Sequence, residues 1–317
     1  MNPVAQQFLV GAVVPGTAGL VICAAVWWRQ GIRERVLTDA SPTHHLGSSA
    51  RWPRLVMLAL VLGVVAFIQS YLLSAEFVPG GTAVNSVPLV VLVLVAIGAL
   101  SVGLRLPKVL LASLSAVAVT AGTMYALANV LASATSATLA ASAAGLFALS
   151  FLSVWSWETL ARLNPNAAVA PSRATAVAGW LWCGMATQVA VVGFSSLKWG
   201  LHAHGLAAVF GGAMLVAAIR PRLSLAGVAG PIAAIVAMLL AVPSQIGGDS
   251  MPAWLRVTLV SLVLLSPLPA AVILPRVSPR PGFVGLLIRV ILIAGLSMLA
   301  AGIAVAIFVM TPAEPAY

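Results

Sequence analysis

The 317-residue chain is 62% hydrophobic and 7% charged, and its net charge is +10. A soluble domain carries about 25% charged residues, so a water-soluble fold is excluded, and one giant soluble core fails because cores stop growing near roughly 250–300 residues. The sixteen Lys and Arg form no dense basic run, which excludes a nucleic-acid patch; scattered through short connections, they read as membrane-insertion signals.

Crossing about 30 Å of hydrocarbon takes roughly 20 apolar residues in a helix. In chain order the apolar runs predict ten spans: 7–28, 55–75, 87–104, 109–131, 139–157, 174–194, 205–219, 225–243, 254–274 and 286–310. These Ala, Val and Leu runs lack the period-two alternation of a barrel strand. Helices are the other way to satisfy the backbone in lipid. The expected fold is an all-α polytopic transmembrane helix bundle of about ten spans.

The first span has no Lys or Arg before Arg29. A secretory signal needs a basic stretch ahead of its apolar run, so this segment reads as an uncleaved helix with its N-terminus outside. The connection 29–54 that follows contains "ASPTHHLGSSA". Its His44 and His45 lack a third ligand nearby and read as solvated. Cys23 and Cys183 sit inside apolar runs without CxxC spacing and read as small buried hydrophobes.

The seventh span, "GLAAVFGGAMLVAAI", is short, and charge decides whether it crosses. With ten spans the inner connections are 29–54, 105–108, 158–173, 220–224 and 275–285; counting Arg289 at the same face, they hold fourteen of the sixteen basic residues. Deleting the seventh span would move Arg220, Arg222, Arg276 and Arg280 outside, against the positive-inside rule. The chain is therefore expected in the cell membrane, multi-pass, with both termini on the non-cytoplasmic side.

Ten spans divide into a first five-helix half, 1–157, a cytoplasmic linker, 158–173, and a second half, 174–317, within one membrane domain. Halves inserted in opposite senses have the geometry of inverted-repeat transporters, although no residue-level similarity relates them. Proline breaks are expected at 13–19, 227–233 and 264–271, where kinks suffice to explain them.

Ionisable groups at membrane depth mark transport pathways. The ten-span reading places none of the carboxylates there. Glu158 falls at the cytoplasmic end of the fifth span as an interfacial anchor, with Arg162 four residues on for an ion pair. Trp155 and Trp157 join an inner aromatic belt, and Trp180 comes near Trp155 and Glu158 if spans five and six pack side by side. Gln69, Asn129 and Gln188 are neutral polar groups within spans; the two glutamines are expected to face other helices. Glu158, Trp155, Trp180, Gln188, Gln69 and Asn129 are thus the candidate substrate-binding residues.

The enzyme motifs HExxH, GxSxG and GxxxxGK[ST] are absent, so no catalytic residues are assigned. No cofactor or metal is expected, the His202-x-His204 pair reading as a solvated loop. Two readings of function stand nearly level. The first is a transporter of a small or lipid-like substrate working without a buried carboxylate. The second is a non-catalytic subunit that packs against membrane-protein partners or further copies of the chain. A lipid-face enzyme using Glu158 ranks third. The partner common to all is the lipid bilayer.

Overall fold

The structure is a computed structural model, and it describes residues 17, 18, 21, 24, 25, 87–104, 106–163, 171–195, 199–207, 210, 211, 225–246, 251–276 and 282–310. Among these residues every regular element is helical. The helices are α1 (Val87–Gly103), α2 (Lys108–Ala126), one-turn α3 (Ala128–Leu131), α4 (Ser136–Ala161), α5 (Pro171–Gln188), α6 (Ala229–Ile246), α7 (Ala253–Leu265), short α8 (Leu268–Ile273) and α9 (Gly282–Met310). A π-helical turn, Val189–Gly193, extends α5, and residues 199–207 are also helical.

Six stretches are long and apolar enough to cross a membrane: Lys108–Ala126, Ser136–Ala161, Ala174–Gly193, Ala229–Ile246, Ala253–Ile273 and Gly282–Met310. Val87–Ser101 is apolar but shorter. The spans expected at 7–28, apart from a few helical residues, and at 55–75 lie outside the described residues, as do the 29–54 loop, the 13–16 part of the first expected break, and Gln69.

Local chemistry sets several helix boundaries. Thr135 caps α4, its hydroxyl accepting from the Thr138 amide at 3.3 Å, which supplies an acceptor to one of the donors a helix start leaves free. The expected break at 264–271 is present: α7 stops at Ser266–Pro267 and α8 begins at Leu268. Proline at 267 has no N–H for the Val263 carbonyl. The Trp182 indole of α5 donates to that carbonyl at 2.7 Å, with the Ser266 amide at 3.3 Å. Ser266 also reaches α9, where its hydroxyl donates to the Ile293 carbonyl at 2.7 Å and accepts from the Ser297 amide at 3.1 Å. Those two backbone groups are partners in an unbroken α-helix, so a side chain of α7 is seated on one step of the α9 ladder.

The stretch expected at 227–233 is not a kink within a helix. It is where α6 starts, after a turn whose Gly227 has φ +77°, a left-handed conformation that glycine adopts without penalty.

α6 is the centre of the bundle. Every residue from Ala229 to Ser244 is buried, and α6 packs against α1, α2, α4 and α7. Lipid is as apolar as leucine, so close packing holds such helices together. Gly98 of α1 shows how close: a Cβ there would lie 2.7 Å from the Gly227 carbonyl oxygen and 2.8 Å from Pro231 Cγ. α6 belongs to the expected second half, whereas α1, α2 and α4 belong to the first.

Glycine contacts also fix the direction of residues 200–211. A Cβ on Gly200 would meet Val191 and the Thr187 carbonyl, one on Gly179 would meet Phe210, and one on Gly211 would meet Trp180. The segment therefore runs antiparallel to α5.

Candidate functional site

At the end of the bundle where α4 stops and α6 starts, Glu158 is fully buried, with 0% of its surface exposed. The expected interfacial anchor is in fact a carboxylate inside the protein. The expectation of no carboxylate within the bundle falls with it. The reason is that α6 begins against this part of α4 and covers the side chain. A Cβ on Gly230 would lie 2.9 Å from Glu158 Cγ and 3.1 Å from Val154 Cγ1, so only glycine lets the two helices meet at this distance.

The carboxylate sits on the start of α6. Its Oε1 accepts from the Gly227 amide at 2.9 Å and the Gly230 amide at 3.2 Å; its Oε2 accepts from Gly227 at 3.2 Å and from Arg162 Nε at 3.1 Å. A helix leaves its first N–H groups without partners inside the helix, and here each is accounted for. Val228 and Ala229 donate to the Leu225 carbonyl at 3.1 and 3.0 Å, Gly227 and Gly230 donate to Glu158, and Pro231 has no N–H. A negative group is also favoured at this end by the helix dipole. Every contact to the carboxylate comes from a donor, as an ionised group requires.

The expected i, i+4 ion pair with Arg162 is present. Its two members differ sharply in environment: the Arg162 side chain is 35% exposed and that of Glu158 is sealed. Arg162 Nη1 also donates to the Leu106 carbonyl at 3.3 Å. Beside it, Lys108 Nζ donates to Thr159 Oγ1 at 3.1 Å and lies 4.9 Å from the centre of the Trp155 ring, in cation–π range.

Of the expected site residues, Glu158 and half-buried Trp155 share this corner through α4 and Lys108. Trp180 does not join them. It is 44% exposed on the other side of α5, beside Gly211. The residues one helical phase away meet instead: Trp157 is buried within the bundle, with its ring centroid 5.1 Å from Trp182 and 5.7 Å from Phe210. Gln188 is exposed and does not face another helix, and Asn129 is exposed in α3. Sequence reasoning missed Gly227, Gly230, Lys108 and Thr159. The run Gly227-Val-Ala-Gly230-Pro231 ahead of an apolar stretch carried a signal, since proline belongs in a first helical turn.

A second polar feature lies on the buried face of α4. Ser156 and Thr159 donate to the carbonyls of Leu152 and Trp155 at 2.6 and 2.8 Å, the usual outlet for a hydroxyl in a helix. Ser150, Ser153 and Trp157 are buried too, but their Oγ and Nε1 atoms have no hydrogen-bond partner among the described residues. Spaced i, i+3 and i+7, they fall on one face of the helix.

Among the described residues no three His, Cys, Asp or Glu side chains come together as a metal site would need. Comparison with protein-family models, curated proteins and solved structures finds no match.

Proposed function

We propose that the chain is a ten-span cell-membrane transporter of a small or lipid-like solute, with both termini outside. The observation that carries this reading is Glu158, a fully buried carboxylate in an apolar helix, holding the backbone amides of the central helix. An ionisable group is costly in such surroundings and is characteristically found on a solute or ion pathway. In transporters helix starts within the bundle point at anionic substrate groups; here the α6 start is held by Glu158. Ser150, Ser153 and Trp157, whose polar atoms have no partner among the described residues, extend the polar character along the same helix.

The ten-span organisation draws support from Gly200, Phe210 and Gly211, which lie in antiparallel order beside α5 as the start of a seventh crossing would. The positive-inside distribution points the same way. The five-helix halves 1–157 and 174–317 then interlock through α6 rather than packing as separate bodies.

A non-catalytic subunit has one observation in its favour: α6 is buried from Ala229 to Ser244. In that role Glu158 serves as the cap of the α6 start and nothing more. The test is reconstitution of the full chain into liposomes and flux of a panel of neutral, anionic and lipid-like solutes. Flux by the native chain that is lost in Glu158→Gln supports transport. No flux for any solute, together with a stable complex recovered from native membranes, supports the subunit.

A further inference from the structure

We propose, resting on the transporter reading for its coupling role, that Glu158 is a proton-binding site whose occupancy frees the start of α6. The geometry makes the two states mutually exclusive. Both carboxylate oxygens are engaged by N–H donors: Oε1 by Gly227 and Gly230, Oε2 by Arg162 and Gly227. A proton on Oε2 turns an acceptor into a donor facing the Arg162 guanidinium. A proton on Oε1 does the same to the two glycine amides. Either way at least one contact is lost, and the acid that results no longer carries the charge that the helix dipole favours.

Among the described residues no other carboxylate competes for this proton. Glu158 is the one carboxylate side chain among the described residues. The packed elements α1, α6 and α8 carry no titratable side chain, α7 carries Arg256, about two turns before Val263, and Lys108 of α2 is directed at Thr159 and Trp155. From α5, Cys183 is the titratable side chain described; it is buried and follows Trp182 directly in the helix. The route for the proton runs past Arg162, whose partly exposed side chain touches both the outside of the bundle and the carboxylate.

The α6 start is built to respond. Its turn contains Gly227 and Gly230, whose amides both donate to Glu158, while Pro231 contributes no donor of its own. Loss of the carboxylate contacts leaves the Leu225 carbonyl as the cap for this turn. One proton enters from the Arg162 side and binds a carboxylate oxygen. The pair changes from neutral to singly positive, Arg162 turns to water, and the same proton leaves when the carboxylate returns to the amides.

The experiment uses the full chain in lipid nanodiscs. Infrared titration between about pH 4 and pH 9, the window around ordinary carboxyl and histidine values, is expected to show a carboxylic-acid carbonyl band that is absent in Glu158→Gln. Hydrogen exchange of the 225–232 peptide, corrected for the intrinsic pH effect, is expected to speed up about tenfold on acidification, as local opening requires, and to be fast at all pH in Glu158→Gln. Arg162→Gln keeps the carboxylate and its glycine amides; removal of the cation moves the infrared midpoint to higher pH. A band unchanged by Glu158→Gln, or exchange in the native chain that ignores pH, overturns the proposal. Solute flux that persists without these signals also overturns the proton site while leaving the transporter. The signals without flux of any solute uphold the proton site and remove the transport reading.

Discussion

Glu158 and Gly230 lie 72 residues apart in sequence and are joined by a 3.2 Å hydrogen bond across two helices, a side-chain carboxylate accepting from the backbone amide of a helix start. The relationship makes a clear prediction. Glu158→Ala orphans the buried amides of Gly227 and Gly230, each costing roughly 1–3 kcal/mol. Glu158→Gln keeps one carbonyl acceptor and is expected to cost about half as much in total. Reversible unfolding in mixed micelles separates the two; equal losses would show that the amides find other partners.

Glycine substitutions sort by what surrounds them. Gly230→Ala presses on Glu158 and Gly98→Ala presses on the Gly227 carbonyl, so each is expected to destabilise by about 1–3 kcal/mol. Gly145→Ala in α4 and Gly302→Ala in α9 meet nothing within 4 Å and should be neutral or stabilising by up to about 1 kcal/mol. Thermal melts in detergent compare the pairs, and a destabilising Gly302→Ala would count against the open face of α9.

The two buried indoles differ in a way that substitution can read. Trp182 donates to the carbonyl freed by Pro267, whereas Trp157 Nε1 has no partner among the described residues. Trp182→Phe is expected to cost about 1 kcal/mol more than Trp157→Phe, the value of a typical hydrogen bond. The reverse order in melting temperature would place a partner on Trp157.

Topology is testable independently of function. Reporter fusions after Ser195 and after Ser224 are expected to fall on opposite sides of the membrane, the first outside and the second inside. Both reporters on one side would remove the crossing between them and the ten-span count with it.

What sequence could and could not reveal follows from the composition. Helicity, the Glu158–Arg162 pair and the break at Pro267 depend on near neighbours and were legible. The burial of Glu158 depends on a helix start some seventy residues away, and no local pattern carries that. Helical phase was hard to read because lipid-facing and core-facing positions are equally apolar here, so the usual polar face is missing. That explains why Trp180 and Gln188 were expected inside and stand exposed, while Trp157 and Trp182, near them in sequence, form the packed pair. The sequence places Glu158 at the end of its helix, and its burial comes from α6.

The break between α7 and α8 has a mechanical consequence. Proline interruptions are commonly where helices bend, because a carbonyl is released and nothing holds the two pieces in line. At Pro267 the released carbonyl is gripped by Trp182 of α5, and the adjacent Ser266 is bolted to the backbone of α9. The interruption is thus a rivet through three helices rather than a free elbow. The end of the bundle at Gly227 and Gly230 is tied to α4 through one charged side chain, Glu158, so a change of charge there would be felt as a swing against the fixed point at Ser266.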